Sequence, residues 1–176
     1  KKNTKVVNID SGIDYRLEFF DHAEIYHSPL DDNANAILED DFIHVCPSKG
    51  DEASILEIED REIETVRCGD GVVWFDFKAI CAGPRGVADY IEIARQYQTV
   101  LIANIPVMND NDNDVVKRLI ILIDEFYDRN VKLIITAEDI PEKLYQGKRL
   151  AEPFKRTKSR LEEMRTHDYL AKQHLP

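Results

Sequence analysis

The chain has 176 residues, enough for one ordinary domain with a small appendage, and its 43% hydrophobic content is typical of a globular protein. Its formal net charge of -11 repels phosphate backbones, which disfavours a dedicated nucleic-acid-binding role. Three cysteines without a Cys-x-x-Cys spacing predict reduced thiols rather than structural zinc. No apolar run approaches the roughly 20 residues that span a bilayer, so the composition predicts a cytoplasmic protein.

The first 71 residues are predicted to form a mixed α/β segment. Residues 5–9 predict a short strand that begins without a lead-in, a first indication of a fragment. A polar–apolar pattern over residues 31–44 predicts an amphipathic helix with an acidic exposed face, started by an Asp/Asn cap. Residues 54–58 and 62–66 alternate with period two around a short turn, which predicts a β-hairpin.

Residues 72–140 alternate apolar runs with apolar stripes at helical spacing. The runs predict buried strands and the stripes predict helices between them, which together indicate a parallel βαβαβ layer. The predicted strands are 72–77, 99–105 and 131–137, and the predicted helices are 87–97 and 114–129. Residues 141–176 form a helical, lid-like tail, with helices predicted over 156–164 and 167–173 and Thr166 as a cap.

Residues 119–125 resemble a Walker B motif, in which an apolar strand ending in Asp-Glu holds Mg²⁺. Periodicity argues against this interpretation, because the apolar residues around them fall on one helical stripe. A strand here would also leave only a short loop before Val131, too short for a crossover between parallel strands. We therefore predict a helix, with Asp124 and Glu125 as solvated residues.

A glycine-rich segment, residues 83–86, lies between a predicted strand and a predicted helix, the context of an anion-binding helix N-terminus. It lacks the Gly-Lys-Ser/Thr that contacts a triphosphate and Mg²⁺. Two interpretations stay open: Arg85 makes a weak phosphate contact, or the segment is a simple turn with Arg85 at the surface.

Open α/β sheets bind ligands beyond the carboxyl ends of their strands, where this sequence places Lys78, Arg85, Asn104 and Glu138. Asn104 fits a water-orienting sensor residue, but an Asn at this position more often satisfies loop backbone, which we favour. The five histidines occur in no recognisable nucleophile motif. An independent small α/β enzyme that uses this crevice is therefore the least favoured hypothesis.

Arg156 and Arg160 are four residues apart on a predicted helix, so both guanidinium groups face one partner. Arginines that converge on phosphate are the usual means by which a helical lid senses nucleotide. The alternative is a solvated face on which they pair with Glu162 and Glu163. The sequence leaves both interpretations open.

Six ordered blocks resemble the C-terminal half of the ZapE-type cell-division ATPases, an AAA+ family whose eukaryotic relatives are mitochondrial AFG-like ATPases. The blocks cover nearly the whole chain. They are DSGIDYR at 10–16, WFDF at 74–77, GPR at 83–85 with DY at 89–90, TVL at 99–101 with NIPVM at 104–108, DEFYDRNVKL at 124–133, and RTKSRLEEM at 156–164.

The resemblance implies a parent that binds and hydrolyses ATP with Mg²⁺ and destabilises FtsZ polymers at the division ring. It also implies that the P-loop, Walker B and first sensor motifs lie upstream of this sequence, so the chain alone is expected to be inactive. Arg16, Arg156 and Arg160 match candidate nucleotide-sensing positions. The implied partners are the upstream ATPase core and FtsZ or another protein, with the membrane periphery and an oligomer as further implied settings.

Two function hypotheses from different classes follow. In the leading one, the chain is a non-catalytic half of an AAA+ ATPase that supplies lid and interaction surfaces, and residues 72–140 are a degenerate copy of a P-loop layer. In the second, the chain is a free-standing protein-interaction module, with the acidic residues 31–52 as the docking surface for a partner such as FtsZ.

Overall fold

The computed structural model describes residues 9–176, with side chains from Arg16 onward. The strand predicted over residues 5–9 lies outside the described residues except for Ile9, which begins a helix. The helices are α1 (Ile9–His22), α2 (Ala34–Val45), α3 (Phe77–Cys81), α4 (Val87–Gln96), α5 (Asn113–Asp128), α6 (Ala151–Glu163) and α7 (His167–Leu170). The strands are β1 (Tyr26–His27), β2 (Asp51–Glu52), β3 (Ile55–Ile58), β4 (Arg61–Glu64), β5 (Arg67–Gly69), β6 (Val72–Asp76), β7 (Thr99–Ile105) and β8 (Lys132–Ala137).

A largely parallel sheet forms the centre of the described part of the chain. Its strand order is β1-β8-β7-β6-β5-β2, in which β1, β8, β7 and β6 run parallel. Strand β5 pairs antiparallel with β6, and β2 pairs antiparallel with β5. The register places Leu101 between Trp74 and Ile134. Six of the seven residues of β7 are buried, as expected for a strand covered on both faces. The predicted α/β fold with a parallel layer is confirmed.

Helix α5 decides the nature of residues 119–125. It runs without interruption through this segment, and its apolar stripe faces the core, as the periodicity predicted. The buried side chains of the stripe are Val116, Leu119, Ile120, Leu122, Ile123 and Phe126. A helix therefore stands where the Walker B-like sequence would require a strand.

The hairpin predicted before the parallel layer is confirmed and forms a separate two-stranded sheet. Its turn residues Glu59 and Asp60 both have positive φ, 51° and 59°, the conformation that joins tightly twisted strands. Strands β1, β2 and β5 also precede residue 72, yet they belong to the central sheet. The domain boundary at residue 71 stays a prediction, and the sheet draws strands from both sides of it.

Two helices begin away from their predicted first residues. Helix α2 starts at Ala34 rather than at Asp31, because the Asp31 carboxylate accepts a hydrogen bond from the Asn33 amide and closes a turn there. Helix α6 starts at Ala151, five residues before the predicted position. The predicted cap of α7 is confirmed, since the Thr166 hydroxyl accepts a hydrogen bond from the Tyr169 amide.

The early start of α6 follows from contacts of Asp110, in the loop between β7 and α5. Its carboxylate accepts hydrogen bonds from the backbone amides of Lys148 and Arg149 and from the Tyr145 hydroxyl, which holds the segment that enters α6. These hydrogen bonds lower the pKa of Asp110.

The C-terminal tail is fixed by a buried lysine at the start of β8. Lys132 Nζ donates to the backbone carbonyls of Asn130, Tyr169 and Lys172 at 2.9, 3.3 and 2.7 Å. The Tyr169 hydroxyl donates to the Val131 carbonyl at 2.6 Å. Burial raises the pKa of Tyr169, so this hydroxyl keeps its proton.

No helix in the described part of the chain is both long and apolar enough to cross a membrane. The three cysteines are free thiols, as predicted. Burial raises the pKa of Cys81 to about 12, so it packs as a small apolar side chain.

Candidate functional site

The candidate site is the pair of arginines that α6 presents to α5. Arg156 Nη2 lies 2.7 Å from Asp124 Oδ2, and its Nε lies 3.3 Å from Asp124 Oδ1. Arg160 Nη1 donates to the same Asp124 Oδ1. Spacing of four residues on one helix thus brings both guanidinium groups to one carboxylate, a partner that neither interpretation of the sequence named.

Tyr127 contacts this arginine pair, and Glu163 in turn holds Tyr127. The Arg160 guanidinium carbon lies 4.6 Å from the centroid of the Tyr127 ring, a cation–π contact that orients it. The Tyr127 hydroxyl donates to Glu163 Oε2 at 2.5 Å, and this hydrogen bond raises the pKa of Tyr127. Arg160 is the more enclosed of the two arginines, since its side chain is 22% exposed and that of Arg156 is 54% exposed.

The structure corrects the prediction that Asp124 is a solvated residue. Its side chain is only 22% exposed, because two guanidinium groups of α6 cover it. The alternative partners predicted for the arginines are otherwise engaged: Glu162 lies 3.5 Å from Arg165, and Glu163 accepts from Tyr127. Sequence reasoning missed Asp124 because its partner helix is 32 residues away. The available signal was a carboxylate beside the apolar stripe of one helix and two arginines on another.

Arg85 lies apart from this pair, in the loop before α4. Its Nη2 donates to the Glu62 carbonyl at 3.0 Å and its Nε to the Ala79 carbonyl at 3.2 Å. The N-terminus of α4 is already capped by a carboxylate, since the Gly86 amide donates to Asp89 Oδ2 at 2.8 Å. These contacts favour the simple turn, and the phosphate contact of Arg85 stays a prediction.

Arg16, on α1, is placed with a different set of side chains. Its Nε donates to the Val45 carbonyl at 3.1 Å, and burial lowers its pKa. It lines a cavity of about 570 Å³ together with Lys132, Lys172 and His174. Of the four predicted arginines, only Arg156 and Arg160 share a partner.

The carboxyl ends of the strands are tied together by short polar contacts. Asn104, whose φ is 66°, donates from Nδ2 to Asp76 Oδ2 at 2.8 Å, and its amide donates to Thr136 Oγ1 at 3.0 Å. Glu138 accepts from the Val107 amide at 2.8 Å. Lys78 lies not at a strand tip but in the short helix α3. These contacts support the structural interpretation of Asn104.

A parallel sheet built from βαβ units, with an arginine pair on a peripheral helix, defines an α/β protein whose candidate anion contacts lie outside the sheet. The chain belongs to the AFG1-like ATPase family, whose model matches residues 1–173. It is 35% identical to the cell division protein ZapE of Escherichia coli K12 over 175 residues, which cover 99% of this chain and 47% of that relative.

A more distant relative is the lactation elevated protein 1 homolog B of Danio rerio, which is 29% identical over 78% of this chain and 28% of its own length. An uncharacterised protein of Schizosaccharomyces pombe is 30% identical over 80% of this chain and 32% of its own length. The chain therefore spans about half the length of the ZapE relative and less of the other two. No solved structure matches it significantly.

Proposed function

We propose that these 176 residues work as one portion of an ATPase that binds and hydrolyses ATP with Mg²⁺. Membership of the AFG1-like ATPase family supports this proposal. The chain contains no Gly-x-x-x-x-Gly-Lys-Ser/Thr sequence, and its Walker B-like segment is a helix. The catalytic P-loop and Walker B residues of the proposed ATPase therefore come from outside this chain, which itself supplies lid and interaction surfaces.

The observation that carries the proposal is the shared carboxylate of the α6 arginines. Two guanidinium groups face one carboxylate, Asp124, so one positive charge lacks a direct counter-charge at the pair. A nucleotide phosphate is tetrahedral, but two of its oxygens accept a bidentate guanidinium as a carboxylate does, and the group carries more negative charge. We propose that Arg156 and Arg160 contact nucleotide phosphate when the catalytic portion is present. Arg16 and Arg85, which donate to backbone carbonyls, are the candidates if the α6 arginines make no such contact.

The protein substrate is proposed from the likeness to a cell division protein. We propose that the ATPase acts in the cytoplasm at the division ring, with FtsZ polymers as the substrate, and that it forms an oligomer. The acidic residues 31–52 are the proposed docking surface on this chain. As a second candidate function, this surface also supports a protein-interaction role without nucleotide chemistry, because a cavity with acidic lining opens beside it.

The test is ATP turnover by the full-length ATPase with single substitutions on α6. Arg160→Ala is expected to lower turnover at least about tenfold, since one charge-assisted contact to phosphate is lost. Arg156→Ala is expected to have a smaller effect because its side chain is more exposed. Lys155→Ala is the matched control, as Lys155 lies on the same helix and its partner among the described residues is Glu152. Equal turnover in all three variants would contradict the nucleotide contact.

A second measurement asks whether this chain binds nucleotide alone. Calorimetry with ATP or ADP and Mg²⁺ is expected to show no detectable binding, because the proposed phosphate-binding loop lies elsewhere. Micromolar binding by the isolated chain would contradict the proposal that nucleotide binding requires the catalytic portion. Arg85→Lys would then show whether the loop before α4 holds the phosphate.

A further inference from the structure

A cavity of about 500 Å³ opens between α1, β1 and α2. Its lining combines aromatic and apolar side chains with four carboxylates and three histidines. No group of three or more metal-ligating side chains in the described part of the chain has a geometry that could hold a metal ion. The lining therefore favours an organic cation over a metal ion.

The most enclosed polar group of this cavity is the Asp41 carboxylate. Its side chain is 10% exposed, and its Oδ2 accepts a hydrogen bond from His27 Nε2 at 3.0 Å. The other oxygen, Oδ1, has no hydrogen-bond partner among the described side chains. This oxygen is not one of the fully buried polar atoms that lack a partner, so it still reaches solvent and is open to a cationic donor.

A stacked pair of aromatic rings also lines this cavity. The rings of Phe19 and His44 stack with their centroids 5.6 Å apart and their planes 19° apart. His44 Nδ1 donates to the Asp40 carbonyl at 2.7 Å, which fixes the orientation of its ring. A guanidinium group is planar, stacks on aromatic faces and pairs with carboxylates, so it fits this combination better than a compact ammonium.

The rim of the cavity adds more negative charge. Glu18, Glu24 and Asp40 line it, and the Asp40 side chain is 71% exposed. Of these carboxylates, Glu24 has a cation within 4.0 Å, the guanidinium of Arg165. The rim continues into the acidic residues 31–52, which attract basic segments from a distance.

We propose that this cavity binds an arginine side chain presented by a basic segment of a protein partner. The guanidinium lies against the stacked rings of Phe19 and His44 and donates to Asp41 Oδ1, while the rim carboxylates contact neighbouring basic residues of the same segment. This role goes beyond the nucleotide contact proposed above and does not depend on it, so either proposal can fail alone.

The test is a titration of the full chain with an acetylated and amidated Gly-Gly-Arg-Gly-Gly peptide, followed by nuclear magnetic resonance. The peptide is expected to bind saturably and to shift resonances of Phe19, His27 and His44. The same peptide with citrulline, which keeps the shape but not the charge, is expected not to bind. A lysine peptide is expected to bind at least about threefold more weakly, because it loses the stacking contact.

Two variants locate the contact. Asp41→Asn keeps the side-chain shape and is expected to weaken arginine-peptide binding about tenfold, the loss of one charge-assisted hydrogen bond. Phe19→Leu keeps an apolar side chain and is expected to abolish the preference for arginine over lysine. Glu57→Gln, on the exposed face of the hairpin, is the control for the same change in net charge. Equal weakening by Asp41→Asn and Glu57→Gln, or equal affinity for arginine and lysine peptides, would overturn the proposal.

Discussion

Two sets of cations in the molecule are held in different ways, one by backbone carbonyls and one by a side-chain carboxylate. At the loop before α4 and at the start of β8, Arg85 and Lys132 donate to backbone carbonyls. Between α5 and α6, Arg156 and Arg160 donate to one side-chain carboxylate, Asp124. The first pair are carbonyl-bound cations and the second are carboxylate-bound cations.

The difference decides which region is able to exchange partners. A backbone carbonyl is fixed by the fold, so it cannot follow its cation, and moving the cation leaves this acceptor without that donor. A side-chain carboxylate can rotate away, and a phosphate can take its place and accept the same bidentate pair of hydrogen bonds. The carboxylate-bound cations are therefore the better candidates for ligand contact, and the carbonyl-bound cations are expected to act in stability.

The largest expected effect tests whether a carboxylate stabilises the fold when it is fully buried, although it is a side-chain acceptor. Arg61 is also carboxylate-bound, but its partner Asp89 has a side chain that is only 1% exposed and caps α4. Asp89→Ala removes both contacts and is expected to lower the free energy of unfolding by about 3 kcal/mol. Urea unfolding measures this change, with Glu92→Ala on the same helix as the control. A loss equal to that of the control would show that Asp89 is not a structural anchor.

Lys132→Met tests the carbonyl-bound class. The variant keeps the length and apolar stem of the side chain but removes the ammonium hydrogen bonds to three carbonyls. The free energy of unfolding is expected to fall by about 2 kcal/mol. Lys117→Met, at an exposed position of α5, is the control and is expected to have little effect. Equal stability of the two variants would show that the hydrogen bonds of Lys132 do not stabilise the tail.

The stability contribution of Lys132 also depends on pH. Burial, with a smaller effect of Lys172, lowers its pKa from 10.5 to about 8. Between pH 8 and pH 10.5 the unfolded chain keeps a proton that the folded chain has released, so stability rises with pH in this interval. The wild type is expected to gain stability relative to Lys132→Met above pH 8 and to show a constant difference below it. A constant difference across the whole range would contradict the lowered pKa.

Much of this arrangement follows from local sequence, and the rest does not. The periodicity of residues 114–129 predicted α5, and the spacing of Arg156 and Arg160 predicted a shared partner. The identity of that partner depends on how α6 packs against α5, a tertiary contact without a local signal. For the same reason, the sequence did not show that the strands before residue 72 join the central sheet, because pairing between distant strands leaves no periodic pattern.

Arg85→Lys measures the contribution of two carbonyl contacts at a half-buried position. A lysine ammonium does not reproduce the two-pronged geometry of the guanidinium. The free energy of unfolding is expected to fall by about 1 kcal/mol, and ATP turnover by the full-length ATPase is expected not to change. Arg95→Lys, which is 59% exposed on α4, is the control. Reduced turnover with unchanged stability would instead favour the phosphate contact at this loop.

The smallest effects are expected at the carboxylate-bound cations, and their order is informative. A double-mutant cycle between Asp124→Ala and Arg160→Ala is expected to give a coupling energy of about 0.7 kcal/mol, since that pair is partly covered and Arg160 stacks on Tyr127. The same cycle with Arg156→Ala is expected to give about 0.3 kcal/mol, because solvent screens the more exposed guanidinium. The hydrogen bond to Asp124 raises the pKa of Arg156, so this guanidinium keeps its charge throughout the measurement. A coupling of several kcal/mol at either arginine would mean that Asp124 stabilises the fold and is not an exchangeable partner. The α6 arginines would then act in stability, as the carbonyl-bound cations are expected to do.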